Sequence, residues 1–340
     1  MNLILRSESS LYYECGYSCD NAFLLKIGSE KFFITDARYT LEAKSNIVGA
    51  EVVESSNLYK TIANILRQAR LRAIYFDPSE LSVKELDELS SKLHRVNFIV
   101  HDNYSQKIRA IKTKKEIELI AESVRLNALA FNRFFEFMKQ DGVGKSEKAL
   151  HFEAKRFLSN SGEYDLSFDP IVALNQNAAM PHALPTSLKL KKGDMVLFDA
   201  GIKYKRYCSD RTRTFEIGVS SDISKNQHLS QKERQKIYDT VLKAQERAIE
   251  YAREGVSARS IDAKAREVID SAGYGKLFTH STGHGVGLDI HELPRISAKS
   301  KDIIEEGMVF TIEPGIYVDG GFGVRIEDVV VIKNGRAEIL

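Results

Sequence analysis

Cysteine is scarce and odd in number. Cys15, Cys19 and Cys208 are the three in 340 residues, and their spacing fits no metal knuckle. A disulfide framework is therefore not expected, and a reducing cytoplasm is the expected compartment. Cys208 reads as a small buried residue. An excess of one charge is also lacking. The formal net charge of +2 gives no electrostatic case for nucleic acid or an anionic membrane. No run of about 18 apolar residues exists, so no membrane-spanning helix is expected. The opening Met1-Asn-Leu-Ile-Leu-Arg-Ser-Glu has too short an apolar run for a signal peptide. Repeats and low-complexity segments are missing too. What remains is an ordinary globular composition, 43% hydrophobic, enough for two cores.

Residues 1–105 read as alternating strands and helices, which argues an α/β domain. Strands are expected at 21–27 and 31–35, joined by Gly28-Ser-Glu, and at 73–77 and 97–101. Leu58, Ile62, Ile65 and Leu66 have helical spacing, and a second helix is expected over roughly 80–93. His94 and His101 are isolated and read as surface or boundary residues. Residues 106–112 read as a junction, giving domains 1–108 and 109–340. Thr113 with Glu116 has capping-box spacing and opens a long helix. The charges from Lys112 to Glu118 read as a solvated helix face. A second helix is expected at 147–158, a strand at 168–174, and a loop from Asn175 through Pro181-His182-Ala-Leu-Pro185. Two amphipathic helices, near 233–253 and 258–271, follow a loop at 218–232, and strands fill the rest.

The stretch 279–292 places His280, His284 and His291 in twelve positions, three of the eight histidines in the chain. Gly283, Gly285 and Gly287 surround His284, and glycine permits positive φ and close backbone approach. Four carboxylates elsewhere make sense if they converge on His284: Asp199, Asp210, Glu313 and Glu327. Antiparallel pairing can bring Asp199 opposite Asp210. Cys208, Asp210, Thr212 and Thr214 would share one face by the period of two. Arg211 and Arg213 lie on the other face, so neither is expected to neutralise Asp210. Inward carboxylates without a cation would repel and be costly to bury. Two divalent ions would balance the four negative charges. A pair of such ions can activate water and polarise a carbonyl, a peptidase chemistry with no covalent intermediate. Oxygen-rich ligation with one imidazole suits Mn, Co, Fe or Zn.

Phe198-Asp-Ala-Gly, Ser209-Asp-Arg-Thr-Arg-Thr, His280-Ser-Thr-Gly-His-Gly-Val-Gly, Thr311-Ile-Glu-Pro-Gly and Val324-Arg-Ile-Glu-Asp together resemble the pita-bread metallopeptidases. The Xaa-Pro branch, aminopeptidase P and prolidase, fits best. The resemblance covers nearly the whole chain, and five ordered motifs make it specific. It implies an α/β (α+β) protein: a creatinase-like N-terminal domain, then a pita-bread catalytic domain with a curved antiparallel sheet. It implies a dinuclear-metal exopeptidase acting on proline-containing peptides, with Mn the leading metal, and a homodimer. Carried over position by position, Asp199 would chelate one metal, Asp210 and Glu327 would bridge both, and His284 and Glu313 would bind the second. Glu313 would also act as general base. His182 and His291 would contact substrate and the tetrahedral intermediate, and His280 would line the pocket. Arg325, two residues before Glu327, would support it from behind. Arg295, eleven residues past His284, would grip a dipeptide's carboxylate if it is not simply a surface arginine. Two departures stand out: Asn175-Gln-Asn where a Ser-Gly-type turn is expected, and a long loop after Ile217. A methionine aminopeptidase, a creatinase-like hydrolase and an inactive binding protein are the competing readings. The N-terminal domain argues against the first, and the full ligand set against the other two.

Overall fold

A computed structural model describes residues 1–218 and 223–340. The chain divides into two compact units, Met1–Arg109 and Ala110–Leu340.

The first unit is a mixed six-stranded sheet. Its strands are β1 (Leu3–Leu5), β2 (Ala22–Ile27), β3 (Glu30–Thr35), β4 (Glu51–Glu54), β5 (Ala73–Phe76) and β6 (Asn97–Val100), in the order β4-β3-β2-β1-β5-β6. β1, β2 and β3 pair antiparallel, and the outer pairings are parallel. Both faces are covered, so the apolar residues divide by the period of two. Ile4, Phe23, Leu25 and Ile34 enter one core, and Leu3, Leu5, Leu24 and Phe33 the other. The helix Leu58–Gln68 is capped by Asn57 and buries Leu58, Ile62, Ala63 and Leu66 on one stripe. His94 is exposed, and His101 packs edge-on against Tyr75 and Tyr104. A short helix, Tyr104–Ala110, occupies most of the stretch read as a junction.

The second unit opens with the helix Lys114–Phe137, whose Thr113–Glu116 capping box is complete in both directions. The solvated-face reading of 112–118 fails at two residues. Lys112 is buried against Glu292, and Glu116 is buried and accepts from Tyr207 Oη. Helix Glu147–Leu158 follows, capped by Ser146. The strands are β7 (Asp165–Leu166), β8 (Ile171–Leu174), β9 (Met195–Ala200), β10 (Ile202–Tyr204), β11 (Tyr207–Cys208), β12 (Arg211–Glu216), β13 (Gly283–Gly285), β14 (Glu292–Ile296), β15 (Val309–Ile312), β16 (Gly315–Val318), β17 (Phe322–Arg325), β18 (Asp328–Lys333) and β19 (Arg336–Ile339). They form antiparallel ladders in the orders β12-β9-β8, β11-β10-β7, β14-β13-β15-β18-β19 and β16-β17. Helices Lys232–Tyr251 and Ala258–Ser271 pack with β15 and β18 in one core, and helices Lys114–Phe137 and Glu147–Leu158 pack with β8, β9 and β12 in another. The loop expected at 218–232 includes residues 219–222, which lie outside the described residues.

The strand at 168–174 is shorter than expected, because Pro170 immediately precedes Ile171–Leu174 and supplies no backbone donor. Asn175–Ala179, read as loop, is a short 3-10 helix. Alternation then aims the functional residues. In β9, Val196, Phe198 and Ala200 enter the helix-backed core, so Asp199 points to the opposite face. In β15, Phe310 and Ile312 enter theirs, and Thr311 turns the other way.

Candidate metal centre

The β9–β12 register places Thr212, not Asp210, opposite Asp199. The expected facing pair is therefore offset by two residues. The cause is the tight turn at Lys205-Arg206, where both residues take positive φ as a two-residue hairpin turn requires. Asp210 still shares the face of Thr212, so the two aspartates are diagonal neighbours across the ladder. Arg213 pairs with Asp328 at 2.6 Å and donates to Glu327 O, and Arg211 lies over the Phe131 ring. Neither takes Asp210.

His284 sits in β13, between β14 and β15. Its Nδ1 lies 3.1 Å from Gly285 O; a carbonyl can only accept, so Nδ1 carries the proton and the Nε2 lone pair faces inward. Nε2 is 3.5 Å from Asp210 and 3.4 Å from Glu313. Ligand atoms of Asp210, His284 and Glu327 all lie within 4.8 Å of one another. Glu313 is held by Thr311 Oγ1 at 3.1 Å, and its N–H donates to Thr282 O. Thr212 Oγ1 donates to Glu327 at 2.6 Å.

The glycines flanking His284 are not there for positive φ. A Cβ on Gly283 would fall 1.9 Å from Thr311 O, and one on Gly285 would fall 2.1 Å from Leu293 O. Neither takes positive φ. They let three strands close around the imidazole.

Arg325 reaches Asp199, at 2.5 Å, and not Glu327 directly. Its Nε donates to Thr212 Oγ1, and through that hydroxyl it supports Glu327. The same guanidinium donates to Pro181 O, which ties down the segment carrying His182, and to Tyr317 Oη at 2.8 Å. Tyr317 in turn donates to His280 Nε2, since His280 Nδ1 is committed to Ser281 O. Burial holds the His280 imidazolium down and pushes the Tyr317 phenol up to about 12, so this chain stays neutral. Tyr317 was not singled out from the sequence. Its signal was a lone phenol in an otherwise apolar strand, four residues past Glu313.

Burial is the largest reason why Asp199, Asp210 and Glu327 are all held above the usual carboxylate range. Arg325 draws Asp199 back down, and neighbouring carboxylates push Asp210 and Glu327 further up. Among the described residues, Asp199 Oδ1 and Asp210 Oδ1 are buried with no hydrogen-bond partner. Buried acceptors lacking a donor are what a cation would satisfy. The residues thus fit divalent metal: a carboxylate-rich set with one imidazole turned lone pair inward.

These groups open on a cavity of about 650 Å³, also lined by His182, His280, His291, Arg295 and Arg325. His182, His291 and Arg295 are exposed on its wall. The His291 and His284 rings meet edge to face at 4.3 Å. Burial, then His284, lowers the His291 pKa. The segment 174–186 is pinned by Glu147, a fully buried carboxylate missed in the sequence. It accepts from Leu174 N, Asn177 Nδ2, Thr186 N and Thr186 Oγ1 at 2.5–2.8 Å. Asn177, part of the unusual 175–177 turn, is therefore a structural donor here. His151, also missed, lines the cavity and lies 3.3 Å from Asp169.

Residues 118–334 match the model of metallopeptidase family M24, and residues 2–111 match the creatinase/prolidase N-terminal domain. A protein named Xaa-Pro dipeptidase from Pyrococcus horikoshii is 33% identical over 99% of this chain and 92% of its own length. Among solved structures, an Xaa-Pro dipeptidase from Bacillus anthracis superposes with a TM-score of 0.91 at 32% identity, covering 99% of this chain and 92% of that one. An X-Pro aminopeptidase from Thermotoga maritima gives 0.88 at 31%, covering 99% and 94%. The chain belongs to metallopeptidase family M24, the pita-bread metallopeptidases, and is a metallo-exopeptidase.

Proposed function

We propose that this chain hydrolyses Xaa-Pro peptide bonds with two divalent ions held by Asp199, Asp210, His284, Glu313 and Glu327. The observation that carries this reading is the convergence of four carboxylates and one imidazole on one cavity, with two buried aspartate oxygens that find no donor among the described residues. Relatives matched over nearly their whole length and named Xaa-Pro dipeptidase and X-Pro aminopeptidase support the substrate class. Bound divalent ions would supply Lewis acidity and lower the pKa of water. Mn leads, with Co, Zn or Fe as alternatives.

The chain's own groups do the rest. Glu313 takes the proton of the attacking water and passes it to the leaving proline nitrogen. His182 and His291, both on the cavity wall, donate to the carbonyl oxygen as it gains charge. Arg325 draws the Asp199 carboxyl back toward ionisation against its burial, and through Tyr317 it orients His280. Arg295 lines the cavity with its backbone N–H fixed by Asp302. It would bind the carboxylate of a dipeptide, which favours the dipeptidase reading over the aminopeptidase one. A homodimer in the cytoplasm is the expected assembly and place.

Two measurements test this. Purified protein should carry two divalent ions per chain and lose activity to a chelator. Full turnover after verified metal removal would overturn the mechanism. Arg295→Ala should selectively slow an Xaa-Pro dipeptide over an Xaa-Pro-Xaa tripeptide, and equal effects on both would remove Arg295 from the substrate site.

A further inference from the structure

His291 sits on a turn, 286–291, between β13 and β14. Its neighbour Glu292 is buried and lies against Lys112, with Nζ 3.2 Å from Oε2. Both side chains are 1% exposed. Lys112 stands 180 residues earlier in the chain, just before the helix Lys114–Phe137, with its N–H on Gly307 O.

The Glu292 carboxylate is the centre of the turn. Its Oε1 accepts from Asp289 N at 3.1 Å. Its Oε2 lies where a Cβ on Gly287 would come within 2.4 Å, so glycine is required at 287 to admit the carboxylate. The Gly287 carbonyl then accepts from Cys208 N at 2.8 Å, which ties the turn to the strand preceding Asp210. The ladder is irregular at this place: Gly285 pairs with Glu292, and the register shifts between His284 and Gly285. Strand pairing alone therefore does not set where His291 falls relative to His284.

A buried ion pair is a poor device for stability, because desolvation offsets most of the attraction, and apolar residues of similar volume often do as well. It does fix geometry, since a buried charge is costly to move away from its partners. We infer that Lys112 and Glu292 are positioning residues, which hold the 286–291 turn so that the His291 ring stands against His284 and faces the cavity. This rests on the proposed role of His291 in turnover.

The test uses four variants: Glu292→Gln, His291→Ala, Lys112→Met combined with Glu292→Leu, and Glu292→Gln combined with His291→Ala. In the metal-free protein, with histidine rings isotopically labelled, the contact between the His284 and His291 rings should give a nuclear Overhauser effect. It should be lost in Glu292→Gln and in the Lys112→Met/Glu292→Leu pair, while that pair unfolds near the wild-type temperature. With metal restored, kcat on an Xaa-Pro dipeptide should fall roughly 10–100-fold with little change in KM, the range for lost support of a site histidine. In the His291→Ala background, Glu292→Gln should cost nothing further, because its effect passes through a ring already removed. Retention of the ring contact in the apolar pair overturns the inference. So does a loss of kcat that multiplies with that of His291→Ala. Failure of the apolar pair to fold also overturns it, since the ion pair would then serve stability. A wild type inactive on Xaa-Pro peptides would defeat the Xaa-Pro reading and leave the ring-contact result standing.

Discussion

At the scale of single residues, the distinction between holding metal and meeting substrate follows from burial and partners. Asp210 is buried, with one oxygen lacking a donor and the other near His284. Asp210→Asn should reduce bound metal and activity together, read by mass spectrometry of metal content and by turnover. Cys208→Ser, two residues earlier, should change little by comparison, since Cys208 Sγ lies a long 3.7 Å from Leu288 O and burial pushes its thiol up to about 12. His182 and His291 are exposed on the cavity wall. Their alanine variants should lower kcat by roughly 10²–10⁴-fold while metal content stays near wild type. An empty site in His291→Ala would reassign that residue as a ligand.

At the scale of elements, patterning carried much of the fold and little of the register. The shared face of Asp210, Thr212 and Thr214 was readable from the period of two, and Thr212 and Thr214 do meet Glu327 and Arg325. The pairing of Asp199 with Thr212 was not readable, because it depends on a turn at Lys205-Arg206 whose positive φ values no glycine or asparagine announces. Arg325 was placed near Glu327 by counting, yet its guanidinium crosses to Asp199, since β17 ends at Arg325 and β18 begins at Asp328. Tyr317 and Glu147 were missed for a common reason. Each acts through a partner more than 25 residues away, and local spacing says nothing about that. The glycines around His284 were legible as a cluster, but their cause was a neighbouring strand and not φ. Gly285→Ala would force a methyl onto Leu293 O and push β13 from β14. Overpacking of this kind typically costs about 1–3 kcal/mol. A lowered unfolding temperature with weakened metal retention is the expected result, and a variant indistinguishable from wild type in both would show that the strands yield.

At the scale of the whole molecule, the buried carboxylates couple stability to metal and pH. Asp199, Asp210 and Glu327 are held above their ordinary values, by burial first and by neighbouring carboxylates as well. In the metal-free folded chain these groups keep protons that the unfolded chain releases near pH 4. The folded state then binds more protons than the unfolded one, so metal-free stability falls as pH rises from that range through the raised values. Divalent ions reverse the sign. They compete with the same protons, so their affinity grows with pH, and binding to the folded state adds stability. Thermal unfolding of chelator-treated protein should therefore shift to lower temperature as pH rises above the ordinary carboxylate range of about 4, while metal-restored protein holds or gains over the same interval. The gap between the two curves should narrow in Asp210→Asn, which removes one titrating group and one proposed metal ligand together. Parallel curves with and without metal in the wild-type chain would mean that these carboxylates are neither held protonated nor relieved by a cation, and the site would have to be reassigned.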